Sequence, residues 1–265
     1  MPIAIVEMTA KNTSTTQMFR FDWNEKEKND ILGCFFWGYV LTEIPGGLLS
    51  EMFGSRIVLG TSMLLASVLT FLTAPAAIYF PYEWVIVVRV CLGFTMGVQW
   101  PAVPPMANKW VAPTDNSKFM SHMMASSLGA ALTLPVCGYL IHYLGWPSVF
   151  YATGGVTLVW TMMWFYLVYD SPRQHPRIRR EEKEKLEKVI DCEIRNLKKR
   201  KAPLRKIFAS GPVWAIALAN ACSSFNFYIV LNQLPSYMYQ VLHFNIKQNG
   251  VLSGLPLVGK FFISF

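Results

Sequence analysis

Arg89 stands inside an apolar run covering 84–104, about five residues from its start. A guanidinium held in hydrocarbon costs about 2.5–3.5 kcal/mol on insertion scales, so an ionisable group there reads as functional. Its planar fork of donors matches a carboxylate or a phosphate. So shallow a position also lets it snorkel out to lipid headgroups, and the sequence leaves both readings open. Glu43 lies deep in a second apolar run, 31–50. A carboxylate there can carry a coupling proton, partner a basic residue or face a water-filled vestibule. Lys260, within 248–265, offers a second cation. Asn226 and Tyr228 are polar among Phe225 and Phe227, and with the aromatics of 35–39 they are candidates to line a cavity. Aromatics serve packing in apolar helices as well.

Other chemistry is missing. His122, His142, His175 and His243 are scattered among loops and helix ends, and Cys34, Cys91, Cys137, Cys192 and Cys222 form no CxxC pair. This spacing predicts neither a disulfide framework nor a metal site. With no nucleophile elbow, phosphate-binding loop or histidine cluster, an enzyme is not expected, and neither is an organic cofactor.

The groups that remain must be positioned by long apolar elements. Of the 265 residues, 53% are hydrophobic and 15% charged, against about 25% charged in a typical soluble domain. The apolar residues fall in runs at 31–50, 57–76, 84–104, 121–143, 147–168, 212–231 and 248–265. Each is close to the ~20 residues that cross a bilayer. Hydrocarbon offers no partner to a free amide, so these runs must be helices. The ~10-residue alternating segments of a membrane β-barrel do not occur. An all-α, polytopic membrane protein follows. Residues 1–8 are too short to cross, and are expected at an interface or as the end of a longer helix.

Fourteen of the 24 Lys and Arg residues lie between Arg173 and Lys206. The net charge of +8 is therefore a property of one connecting segment, which reads as a topogenic cytoplasmic loop and not as a nucleic-acid surface. With Arg56, Lys109 and Lys118 the loops on that side carry seventeen basic residues, against five on the other side. Asn12-Thr13-Ser14 is a glycosylation sequon on the side so assigned to the exterior or a lumen. Leu186, Val189, Ile190, Ile194 and Leu197 recur at helical spacing, predicting an amphipathic surface helix over 179–200, with a solvated linker as the alternative.

Gly47-Leu-Leu-Ser-Glu51-Met-Phe-Gly54-Ser-Arg56 sits between two spans and resembles the signature loop of the major facilitator superfamily. Gly47 and Gly54 allow close helix approach and a tight turn. Glu51 and Arg56 are expected to latch the cytoplasmic ends of neighbouring helices. Longer matches are similar to the anion:cation symporter family within that superfamily, which includes sialin, vesicular glutamate transporters and type I sodium–phosphate cotransporters. They comprise Gly33-Cys-Phe-Phe-Trp37-Gly-Tyr-Val with Ile44-Pro-Gly-Gly47, Arg89-Val-Cys-Leu-Gly93, Trp100-Pro101, and Lys109-Trp110-Val-Ala-Pro113. Leu134-Pro135, Gly145-Trp146, Leu234-Pro235-Ser-Tyr237 and Asn249-Gly250 continue them along the chain.

The resemblance implies helices two to seven of a twelve-helix protein, with parts of helices one and eight. An N-terminal bundle would occupy 1–169, a basic linker 170–206 and the start of a C-terminal bundle 207–265. It implies symport of a small anion, phosphate or an organic carboxylate, coupled to sodium or protons. The membrane would be the plasma membrane or a lysosomal or vesicular one. The lipid bilayer is the other partner, and nucleic acid is not one. Arg89 matches the family's anion-contacting arginine. Met96 stands where glutamate transporters and sialin carry an acid, Leu32 where glutamate transporters carry a histidine, and Ser223 where they carry a second arginine. These departures put proton coupling in question and argue against glutamate. A non-transporting membrane sensor, or a fragment without an alternating-access path, is the competing reading.

Overall fold

The computed structural model describes residues 2–9, 21–111, 115–124, 126–174, 176, 208–242, 244 and 246–264. The sequon at Asn12 and the helix expected over 179–200 lie outside them. The described elements are helices, with no strand among them. They are α1 (Pro2–Met8), α2 (Glu25–Phe53), α3 (Ser55–Tyr79), α4 (Tyr82–Gly97), α5 (Gln99–Trp110), α6 (Asn116–Met124), α7 (Ser126–Leu144), α8 (Pro147–Leu167), α9 (Gly211–Gln240) and α10 (Ile246–Ser264).

Chain breakers set most of the boundaries. At the N-terminus of α2 the Asn24 amide donates to the Glu27 carboxylate at 2.9 Å, satisfying a donor that would otherwise be orphaned. Between α2 and α3 the chain turns on Gly54, whose φ of +91° lies in the left-handed region. Gly145 (φ +84°) and Pro147, at the first turn of α8, separate α7 from α8.

The span expected at 84–104 lies within one candidate span, 82–110, built from two helices, α4 and α5, that meet at Val98. Pro101 explains the break. It has no amide to offer, and its ring crowds the carbonyl four residues earlier, which belongs to Gly97 at the end of α4. The run expected at 212–231 extends further, to a 30-residue helix ending at Gln240.

Of the two placements expected for residues 1–8, the interface is not the one seen for 2–8: Ile3, Ala4, Ile5 and Met8 are buried in the core with Ile31, Ala74, Val85, Ile141 and Phe150. Phe21 extends this cluster by stacking on Trp23 at 4.8 Å and meeting Trp146 edge-on at 6.1 Å. The core therefore sits where α2 and α4 begin and α3 and α7 end.

Glycines set the closest helix contacts. A Cβ on Gly93 or Gly97 of α4 would collide with the Phe35 and Tyr39 carbonyls of α2, and one on Gly38 with the Val90 carbonyl of α4. The GxxxG spacing of Gly93 and Gly97 thus brings two backbones together. Gly250 and Gly254 do the same for α10 against Leu134 and Ala131 of α7.

The outward faces are apolar. Ile44 is 81% exposed, Trp37 76% and Phe225 70%. Contiguous apolar surface on this scale marks a face made for lipid or for another protein surface. Five helical stretches, 25–53, 55–79, 82–110, 126–144 and 211–240, are long and apolar enough to cross a membrane. Helix α8 has 21 residues, about 31 Å of rise, and so also matches the ~30 Å of a hydrocarbon core.

Candidate functional site

The buried stripe of α4 runs through Val85, Leu92, Gly93 and Gly97. Arg89 lies four residues after Val85 and three before Leu92, so helical geometry aims it into the bundle. It lines a cavity of about 190 Å³ between α1, α3, α4, α7 and α8. That is smaller than the roughly 300–1,000 Å³ of pockets for drug-sized molecules, and it suits a small ion or short carboxylate. Thr70, Thr73, Thr133 and Thr153 line it together with Ile3, Leu92, Val149 and Phe150. The Arg89 Nε is buried without a hydrogen-bond partner among the described residues. An inward-facing, enclosed Nε is not the geometry of a side chain reaching for headgroups. Leaving such a donor unsatisfied is costly, and more so for a charged group.

Glu43 lies away from the Arg89 cavity. It is exposed within this chain, because the face of α2 that packs on α4 carries Cys34, Gly38, Thr42 and Gly46. Its carboxylate bears electrostatically on Tyr39 and Tyr228. Tyr228 of α9 meets Phe36 of α2 edge-on at 5.0 Å, joining the two helices beside that carboxylate. Lys260 is exposed, with its ammonium 4.1 Å from the Phe227 ring centroid, a cation–π geometry. Asn226 is exposed on α9 and lines no part of the Arg89 cavity. The candidates therefore divide into two groups: Arg89 alone in its cavity, and Glu43, Tyr228 and Lys260 along the α2–α9–α10 side.

At the α2–α3 turn the two residues expected to latch neighbouring helices are placed differently. Glu51 is exposed on the last turn of α2, while Arg56, in the first turn of α3, faces α8. Its guanidinium donates to the Phe165 carbonyl and lies over the Tyr169 ring at 4.9 Å. Its backbone amide donates to Asp170 Oδ1 at 2.7 Å, and Trp164 Nε1 donates to the Arg56 carbonyl at 3.1 Å. Trp110 Nε1 donates to the Tyr169 carbonyl at 2.9 Å, tying in the end of α5. A Cβ on Gly54 would lie 2.6 Å from Asp170 Oδ2, so this glycine serves both the turn and the close approach. Gly47 is looser, with a Cβ there 3.5 Å from Pro101. Asp170 was missed in the sequence because its partner lies 114 residues away; its place just after the apolar run 147–168 was the available signal.

A family model described as Major Facilitator Superfamily matches residues 3–265. The chain belongs to this superfamily. Within it the similarity runs to the anion:cation symporters. Vesicular glutamate transporter 3 of Danio rerio is 38% identical over 265 residues, 96% of this chain and 45% of the relative. Vesicular glutamate transporter 2 of Homo sapiens is likewise 38% identical, with the same coverage. Vesicular glutamate transporter 1 of Xenopus laevis is 37% identical over 264 residues, 96% of this chain and 46% of the relative. The chain thus spans less than half the length of these relatives. Membership makes it a multi-pass helical membrane protein of a transporter family, and the loop around Gly54 and Arg56 is this superfamily's signature loop in place.

Proposed function

We propose that this chain supplies the N-terminal bundle and the start of the second bundle of a secondary active transporter for small anions, with Arg89 as the anion contact. The observation that carries the reading is the buried, unpartnered Nε of Arg89, a residue that lines a cavity of about 190 Å³. In transporters of this architecture substrate binds near the midplane and the bundles rock around it. Glu43, beside Tyr39 and Tyr228, is the candidate to couple sodium or a proton, and Lys260 a candidate second cation. Arg56, held to the end of α8, anchors the gate end of the bundle, with the basic linker on the cytoplasmic side. The relatives are named for glutamate and vesicles, so glutamate and a vesicular membrane are the first to test. Met96, Leu32 and Ser223 keep phosphate and other carboxylates in the panel. The test is uptake of labelled phosphate, glutamate and other carboxylates by the full-length protein. Arg89→Ala should abolish uptake with the protein still in the membrane, and unchanged uptake would remove Arg89 from the site.

A further inference from the structure

The hydroxyls around Arg89 carry a constraint on what the cavity accepts. Each threonine hydroxyl has one proton and two lone pairs. Thr70 gives its proton to the Ala66 carbonyl at 2.7 Å, Thr73 to Leu69 at 2.9 Å, Thr133 to Gly129 at 2.8 Å and Thr153 to Val149 at 2.7 Å. This is the usual back-bonding of threonine within a helix. The protons are thereby committed to the helices, so a hydroxyl of these threonines that meets the cavity offers it lone pairs. The wall combines one cationic residue, Arg89, with threonines on α3, α7 and α8.

We propose that this site selects anions that carry their own hydrogen-bond donor over donor-less anions of the same size and charge. The inference rests on the anion role proposed for Arg89. A hydrogen phosphate, a hydroxy acid or an amino acid sets its oxyanion on the guanidinium and its O–H or N–H against the threonine oxygens. Sulfate, or a dicarboxylate with no hydroxyl or amino group, meets lone pairs with lone pairs unless a hydroxyl abandons its helix carbonyl. Forfeiting one such bond corresponds to about tenfold in affinity.

The test is uptake of labelled phosphate against sulfate, and of malate against succinate, by the full-length protein in liposomes near neutral pH. Wild type should prefer the donor-bearing member by about tenfold in at least one pair. Thr73→Val and Thr153→Val keep the side-chain shape and remove the acceptor; each should shrink that ratio. Thr73→Ser, which restores a hydroxyl, should keep the ratio and shows whether a valine at this buried position merely misfolds. Arg89→Ala should abolish uptake of every probe. Loss of uptake in Arg89→Ala combined with equal uptake of both members of each pair would overturn the selectivity and leave the anion role standing. Unchanged uptake in Arg89→Ala would remove the anion role itself. Valine variants that lose sodium dependence and keep the ratio would assign the hydroxyls to a cation, and would also overturn the proposal.

Discussion

Replacing Asp170 by alanine should detach the end of α8 from the start of α3. Helix α3 follows Gly54, which has no side chain to cap it, and Asp170 accepts the Arg56 amide at 2.7 Å from the segment just after α8. Losing a capping oxygen costs about 0.5–2 kcal/mol. Losing a carboxylate at a helix N-terminus costs roughly 0.3–1 kcal/mol more. The expected destabilisation of Asp170→Ala is therefore about 1–3 kcal/mol. Asp170→Asn keeps an accepting oxygen without the charge, and should lose only the smaller share. Thermal melting in detergent, followed by tryptophan fluorescence, should rank wild type above Asp170→Asn and that above Asp170→Ala. Trp164 and Trp110 both donate within this junction, so their emission should change in the native state of the alanine variant. Equal melting temperatures for all three proteins would refute the capping argument.

Other expectations concern the remaining contacts. Gly93→Leu places a side chain against the Phe35 carbonyl; overpacking of this kind costs about 1–3 kcal/mol, and the amount of folded protein in the membrane should fall. Asn249 is fully buried, donates to the Pro235 carbonyl at 2.7 Å and accepts from Ser253 at 2.9 Å. Asn249→Ala should cost about 1–3 kcal/mol in denaturant titrations, and Ser253→Ala less. Pro101→Ala restores an amide to the Gly97 carbonyl, so spin-label distances between the start of α4 and the end of α5 should lengthen as the helices align.

Much of the architecture was legible because lipid leaves the chain few options. An apolar run of the right length must be a helix, and the breaks at Gly54, Gly145 and Pro147 are written in the residues. The inward aim of Arg89 follows from its spacing to Val85 and Leu92. The exposure of Glu43 was also readable, since Cys34, Gly38, Thr42 and Gly46 recur at every fourth position and mark the packed face of α2. What sequence could not supply were contacts between distant segments. Asp170 on the α3 terminus, Tyr228 on Phe36 and the burial of 2–8 depend on how helices pair, and no local period encodes that pairing. The two residues expected to latch neighbouring helices divide for the same reason: Glu51 and Arg56 lie near one turn, but the partner helix decides which way each faces, and of the two it is Arg56 that meets α8.

The central claim is that the Arg89 Nε–H is held free for an anion. Nitrogen-labelled arginine in the full-length protein would report it directly, with the Arg89 signal assigned by its disappearance in Arg89→Lys. The account predicts a downfield shift of that Nε–H on adding whichever probe the protein transports, while the Arg56 signal stays in place. An Arg89 resonance that does not move, in a protein shown to be carrying the anion, would contradict it.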